Sequence, residues 1–164
     1  SFTLMGAIMH ADKRIEIITP YFYPEQEILS ALKYAGISGV EVNIILPQIN
    51  EHRIVGYAAK SLYRDLLECK INIFERRPPF IHSKSMIIDD EWAILGSANF
   101  DYISLRSNYE LCFEVIGADI IQKLRRILEF EKNNSVKIRY SDVVNENKFT
   151  LLRNNICALF APAL

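Results

Sequence analysis

His82 and Lys84 stand two apart in Ile81-His82-Ser83-Lys84-Ser85-Met86-Ile87-Ile88-Asp89, and along an extended strand that spacing puts both side chains on one face. A neutral imidazole is nucleophilic near neutral pH. An ammonium beside it attracts a phosphate and offsets charge building on its oxygens. Ser97 and Asn99, also two apart and directly after Gly96, share a face by the same rule and add neutral donors, while Gly96 lets a ligand or a backbone come close. Attack by His82 on phosphorus would form a covalent phosphohistidine and divide one difficult displacement at a phosphodiester into two easier ones. That chemistry calls for no metal and no cofactor.

Two acids complete the candidate set. Asp89 is out of phase with His82 along a regular strand, so it takes a supporting catalytic place near the hairpin turn. Glu110, in a later run Tyr109 to Ile116, is the better candidate to accept the second imidazole N–H and fix the tautomer. The expected catalytic residues are thus His82, Lys84, Asp89 and Glu110, with Ser97 and Asn99 binding the substrate.

The elements that must position these groups follow from the hydrophobic pattern. Arg14 to Thr19 is a β-branched run ended by Pro20; Glu25 to Ser38 carries Ile28, Leu29, Leu32, Ala35 and Ile37 with Gly39 behind; Val40 to Leu46 is a second β-branched run closed by Pro47. This predicts a strand, a helix and a parallel strand with a right-handed crossover. Ile54 to Glu68 reads as an amphipathic helix and Lys70 to Phe74 as a third strand. After Pro78-Pro79 the runs Ser83 to Asp89 and Trp92 to Ser97 are too close for a helical crossover and should pair as an antiparallel hairpin, with Tyr109 to Ile116 following. Asp119 to Lys132 and Phe149 to Phe160 predict two further helices. The fold class is α/β: a mixed, mainly parallel central sheet flanked by helices, in one domain over residues 1–164, within the usual range of roughly 100 to 200 residues.

Composition narrows the partners. The 19 basic and 20 acidic residues nearly cancel, which removes the general electrostatic argument for nucleic acid. Cys69, Cys112 and Cys157 lie far apart in apolar surroundings and are expected as reduced core thiols. No apolar run approaches the roughly 18 residues that span a bilayer. The chain opens without a methionine on the apolar segment Phe2 to Ile8, which reads as a helix already under way in something longer. His10 and His52 lack partners at ligand or triad spacing and are expected to be exposed or capping. Tyr21, Phe22 and Tyr23 are core or, following the C-terminal end of a strand, a pocket wall. The stripe Phe149, Leu152, Ile156, Leu159 and Phe160 is expected to bury against the domain rather than meet a bilayer. Arg76-Arg77 and Arg125-Arg126 are read as solvated charges.

His82-x-Lys84-x4-Asp89, followed after six residues by Gly96-Ser97-x-Asn99, resembles the HKD motif of the phospholipase D superfamily. Thr19-Pro20-Tyr21-Phe22-x-Pro24, Gly39 to Pro47, Asn99-Phe100-Asp101 through Ser104-Leu105 to Asn108-x-Glu110, and the ending Ala158 to Leu164 resemble bacterial cardiolipin synthases. Ile103 departs from that pattern, which usually has arginine there. The resemblance implies a phospholipase-D-like domain, the second of two in a full-length protein. It implies that a histidine attacks phosphatidylglycerol, that glycerol leaves, and that the phosphatidyl group passes to a second lipid. Lys84 and Asn99 would hold the phosphate, and Glu110 would support His82. Two such motifs are needed, because the leaving group takes its proton from a second histidine; the partner is a second HKD domain in the same chain or a homodimer mate. The implied setting is a membrane surface, with the catalytic domain facing the cytoplasm. A single-motif phosphodiesterase or nuclease working as a homodimer, and a non-catalytic lipid-binding domain, are the competing readings.

Overall fold

The structure, a computed structural model, describes residues 2–101, 104 and 109–161. Helix α1 (Phe2–Met9) leads into β1 (Arg14–Ile18), a short β2 (Phe22–Tyr23), α2 (Gln26–Ile37) and β3 (Glu41–Pro47). Then come α3 (Arg53–Ser61), α4 (Tyr63–Glu68), β4 (Asn72–Arg76), β5 (Ser85–Ile88), β6 (Trp92–Gly96), β7 (Phe100–Asp101) and β8 (Cys112–Val115). The chain continues through α5 (Ala118–Asn133), β9 (Ser135–Lys137), α6 (Tyr140–Val144) and α7 (Lys148–Phe160).

A seven-stranded sheet runs in the order β8-β6-β5-β1-β3-β4-β9, and β2 and β7 form a second, two-stranded sheet. The first βαβ unit is parallel, with Ile15 beside Val42 and Ile17 beside Ile44, and β4 extends it in parallel. The sheet is mixed, as the pattern requires, but its balance is not mainly parallel. The pairings β1–β5, β5–β6, β6–β8 and β4–β9 are all antiparallel. The short turn between β5 and β6 leaves no room for a crossover, and β9 is too short to announce itself by periodicity.

Strands β1 and β3 are buried along nearly their whole length, as expected for strands covered on both faces. On one face Ile15, Ile17, Val42, Ile44, Ile73 and Met86 pack with Leu4 and Ile8 of α1, Ile28 and Leu32 of α2 and Leu66 of α4. On the other, Ile18, Ile45, Ile87 and Ala93 pack with Ile121 and Leu128 of α5. Residues 28, 32 and 35 form the buried stripe of α2 because they recur at helical spacing.

Several expectations change in detail. The helix over 54–68 is two helices broken at Leu62, where the Ser61 hydroxyl donates back to Ala58 O at 2.6 Å, a bond that bends helices. Lys70 takes a left-handed φ of 63° at the end of α4, which delays the next strand to Asn72. The cysteines are free, but Cys112 is exposed and Cys69 and Cys157 are only half-buried. Arg76 is not simply solvated: it pairs with Glu131. Arg125 likewise pairs with Asp90 and with Glu129 at 3.4 Å. Their neighbours Arg77 and Arg126 are exposed.

The largest reversal concerns α7. It sits on α3 through the buried Asn154 and the half-buried Cys157 and Ala158, with the Arg153 guanidinium 3.7 Å from the Tyr57 ring centroid. Small and polar residues let the two helices approach closely, so the apolar stripe points away: Phe149 is 80% and Leu159 79% exposed, with Leu152, Ile156 and Phe160 also exposed. Among the described residues no helix is long and apolar enough to cross a membrane. Leu32→Ala is expected to cost about 2–5 kcal/mol of stability, whereas Leu159→Ser should stay within about 0.5 kcal/mol. Urea denaturation of the two variants checks the contrast; a large loss at Leu159 would return that side chain to a core.

Candidate active site

The site forms where β1 ends and the β5–β6 hairpin begins. Pro20 stops β1 one residue after Thr19, whose hydroxyl donates to Tyr21 O at 2.9 Å and accepts from Phe100 N at 3.4 Å. That buried hydroxyl ties the segment after β1 to the segment after β6. The small sheet continues the tie, with Phe22 beside Phe100 and Tyr23 beside Asp101.

His82 and Lys84 precede β5 rather than lying in it, yet the extended lead-in keeps them together. Lys84 Nζ lies 3.0 Å from His82 Nδ1 and 3.4 Å from Nε2, and donates to His82 O at 2.8 Å. His82 is exposed, with the Phe80 ring tilted 6.1 Å away, whereas Lys84 is buried. Among the described residues no carboxylate comes within ion-pair distance of Lys84. Burial pushes its ammonium below the ordinary lysine range, and the nearby charges of Glu110 and Asp101 oppose that shift. A buried cation with no paired carboxylate is a strong attractor for an anion.

The other site residues arrange differently from the expectation. No hydrogen bond joins Glu110 to His82 among the described residues; Glu110 accepts one from the Ser97 hydroxyl. Ser97 also accepts from Leu111 N at 3.0 Å, so it locks the lead-in of β8 rather than facing a ligand alone. Gly96 serves the same junction, since a Cβ there would fall 2.2 Å from Leu111 O. The close approach it permits is that of the neighbouring strand. Asn99 donates to the Ser104 hydroxyl at 3.2 Å, and its Oδ1 is buried without a partner among the described residues.

Asp89 is not part of this cluster. It lies at the far end of β5, where its carboxylate accepts from the backbone N–H groups of Asp12 (2.6 Å), Lys13 (2.8 Å) and Arg14 (2.6 Å). Its carboxylate holds the start of β1 against the hairpin turn. Burial raises its carboxyl, but the three amides together outweigh that and hold it below the usual range.

Two cavities meet at Ser104, a buried residue that lines both. One, of about 310 Å³, contains Lys84, Gly96 and Glu110 with apolar walls from Leu4, Ile94, Leu95 and Phe100. The other, of about 490 Å³, contains Asn99, Asp101, Tyr21, Tyr23, Glu51 and His52. Tyr21 and Tyr23 are thus a pocket wall, while Phe22 is core. His52 is exposed at the start of α3 without a side-chain cap and lies 5.5 Å from the Tyr21 ring; His10 caps its own helix by bonding Gly6 O at 2.8 Å. Sequence spacing did not single out Ser104, because a residue beyond a turn has no strand phase to read. Ile103 lies outside the described residues. Among the described residues no cluster of three or more His, Cys, Asp or Glu could hold a metal.

Residues 4–133 match the family described as the cardiolipin synthase, PLD-like domain. The chain belongs to this family. It is 37% identical over 96% of its length to cardiolipin synthase 1 of Staphylococcus epidermidis, covering 32% of that protein. It is 33% identical over 96% of its length to the cardiolipin synthase of Halalkalibacterium halodurans, covering 31%. The chain therefore spans about a third of the relatives it matches. The same fold recurs in the phosphatidylserine synthase of Haemophilus influenzae, with a TM-score of 0.79 at 14% identity over 98% of this chain and 44% of that one. It recurs also in Nuc, a phospholipase D family member from Salmonella typhimurium, with a TM-score of 0.71 at 21% identity over 84% and 90%.

The depressed carboxyl of Asp89 stabilises the fold above the unfolded pKa of about 3.9, and that stability is lost as pH falls through the lower folded value. Asn tolerates the φ of 52° at this position, so Asp89→Asn keeps the backbone while removing the charge and one of the two accepting oxygens. It should cost about 1–2 kcal/mol at pH 7 and flatten the acid limb in urea titrations between pH 7 and 3. The lowered Lys84 ammonium loses its charge at a lower pH than a free lysine. Binding of inorganic phosphate should accordingly weaken on the alkaline side before ordinary lysines titrate, and Lys84→Arg should remove that limb. A pH profile of phosphate binding unchanged by the substitution would separate Lys84 from anion binding.

Proposed function

We propose that this chain is the second HKD domain of a cardiolipin synthase and supplies one half of a two-histidine phosphatidyl-transfer site. The observation that carries the reading is the pair of cavities on either side of Ser104. The one walled by Leu4, Ile94, Leu95 and Phe100 holds Lys84, which has no ion pair among the described residues, and the other, richer in hydroxyl and carboxylate groups, holds Asn99. A phosphodiester lying between Lys84 and Asn99 would have an acylated, apolar substituent on one side and a hydrophilic alcohol on the other, which is the division found in phosphatidylglycerol.

In this mechanism one motif histidine forms a bond to phosphorus as the bond from phosphorus to the glycerol oxygen breaks, and the departing oxygen takes a proton from the histidine of the other half. A hydroxyl of a second phosphatidylglycerol then bonds to phosphorus as the phosphohistidine bond breaks, and its proton returns to that same histidine. Lys84 offsets the charge on the phosphoryl oxygens from a desolvated position, where a cation acts more strongly than in water. Ser97 and Glu110 position the β6–β8 junction beneath this centre. The exposed apolar face of α7, with Lys148 beside it and no acid between Lys148 and Ala161, supports work at an anionic membrane surface on the cytoplasmic side.

His82→Ala in the full-length enzyme should lower turnover by at least about 1,000-fold without changing the unfolding midpoint. Paired assays on phosphatidylglycerol vesicles and on single-stranded DNA provide the check. Cardiolipin formation by the parent and its loss in the variant support the transferase; nucleotide release in its place would make the protein a nuclease.

A further inference from the structure

The cavity around Tyr21 and Glu51 shares Asn99 with the proposed phosphate site and extends away from Lys84. It opens beside Asn99 and is about 490 Å³ in volume, well within the range of small-molecule sites. Its floor is built by the β2–β7 pair, which sets Tyr23 beside Asp101. Its rim is held by Asn50, which donates to Pro20 O at 2.7 Å and accepts from His52 N at 2.9 Å. The start of α3 is thereby fixed opposite Tyr21.

The chemistry of the lining is specific. Glu51 and Asp101 are acceptors, the hydroxyls of Tyr21 and Tyr23 donate and accept, Arg53 donates, and Ile54 and Val55 offer carbon surface. One Asp101 oxygen accepts from Ser104 N at 2.7 Å, and among the described residues the other has no hydrogen-bond donor and can accept from a ligand. Two carboxylates facing one guanidinium disfavour an anion, while a vicinal diol finds an acceptor for each O–H and donors for each oxygen. Burial raises the Tyr21 hydroxyl first, and Glu51 and Asp101 raise it further, so it remains a donor at neutral pH.

We propose that this cavity is a polyol subsite, which binds the glycerol headgroup of the donor as it leaves and then the glycerol headgroup of the acceptor as it enters. The inference rests on the phosphatidyl-transfer reading. Both alcohols are glycerol, and each bonds to phosphorus on the face opposite the histidine, so one site serves the two half-reactions in turn. Filling it with a polyol also displaces water from the phosphohistidine and favours transfer over hydrolysis.

The test uses the full-length enzyme, phosphatidylglycerol vesicles and isotope-labelled free glycerol. It measures the ratio of label captured into phosphatidylglycerol to phosphatidic acid released by water. The parent should capture glycerol in preference to an equal concentration of ethanolamine. Glu51→Gln should lower the ratio about tenfold, and Tyr21→Phe by a smaller factor, while phosphatidic acid is still released. Thermal unfolding verifies each variant; if Glu51→Gln does not fold, Tyr21→Phe and Tyr23→Phe, which each remove a single hydroxyl, carry the comparison. An unchanged ratio in folded variants, or equal capture of ethanolamine by the parent, overturns the subsite. A parent that forms cardiolipin but captures no glycerol likewise overturns the subsite, and one that yields neither cardiolipin nor phosphatidic acid nor labelled lipid overturns the transfer reading beneath it.

Discussion

Strand β1 carries the constraint on which the rest depends. It is buried on both faces and paired on both edges, parallel to β3 and antiparallel to β5, so every backbone polar group along it must be met by a neighbour. One edge commits the chain to a helical crossover and the other to a hairpin. The strand is therefore a seam between two kinds of sheet. Just past its end at Ile18, the Thr19 amide still donates to Ile45 O while the Thr19 hydroxyl accepts from Phe100 N across the seam. The site occupies the place where regular pairing runs out and side chains must take over.

Electrostatics at that place trade stability for binding. Burying Lys84 with no carboxylate at ion-pair distance among the described residues is costly, and the His82 carbonyl and imidazole, with the nearby charges of Glu110 and Asp101, offset only part of it. Glu110 stands near enough to influence Lys84 but is engaged by Ser97. A direct Glu110–Lys84 ion pair would have stabilised the fold and neutralised the anion site together. The hydrogen bond to Ser97 keeps the acid in the neighbourhood without closing that circuit.

The parts of this architecture visible in the sequence are those governed by period. Buried β-branched runs gave β1 and β3, the stripe at 28, 32 and 35 gave α2, and the two-residue spacing of His82 and Lys84 placed their side chains in contact. The same arithmetic set Asp89 apart from His82, and its carboxylate does lie at the other end of β5. What escaped was set by partners distant in sequence. Glu110 pairs with Ser97 because β8 docks against β6, a contact no local pattern reveals. In α7 the apolar stripe was legible but its direction was not, because close packing against α3 selected the small face around Asn154 and Ala158. The β2–β7 sheet, with two residues in each strand, is below the length at which alternation can be read.

The turn at Asp89 and Asp90 joins more than two strands. Both residues take left-handed φ, 52° and 61°. Asp89 binds the amides that open β1, and Asp90 pairs with Arg14 of β1 at 2.9 Å and with Arg125 of α5. A hairpin tip is ordinarily where a chain best accepts an inserted residue or a proteolytic nick. Here the tip is a rivet through three elements, and lengthening it by one residue would separate the two carboxylates from their partners. Tags, circular permutations and domain fusions are thus barred from what looks, in a strand diagram, like the most permissive loop of the protein.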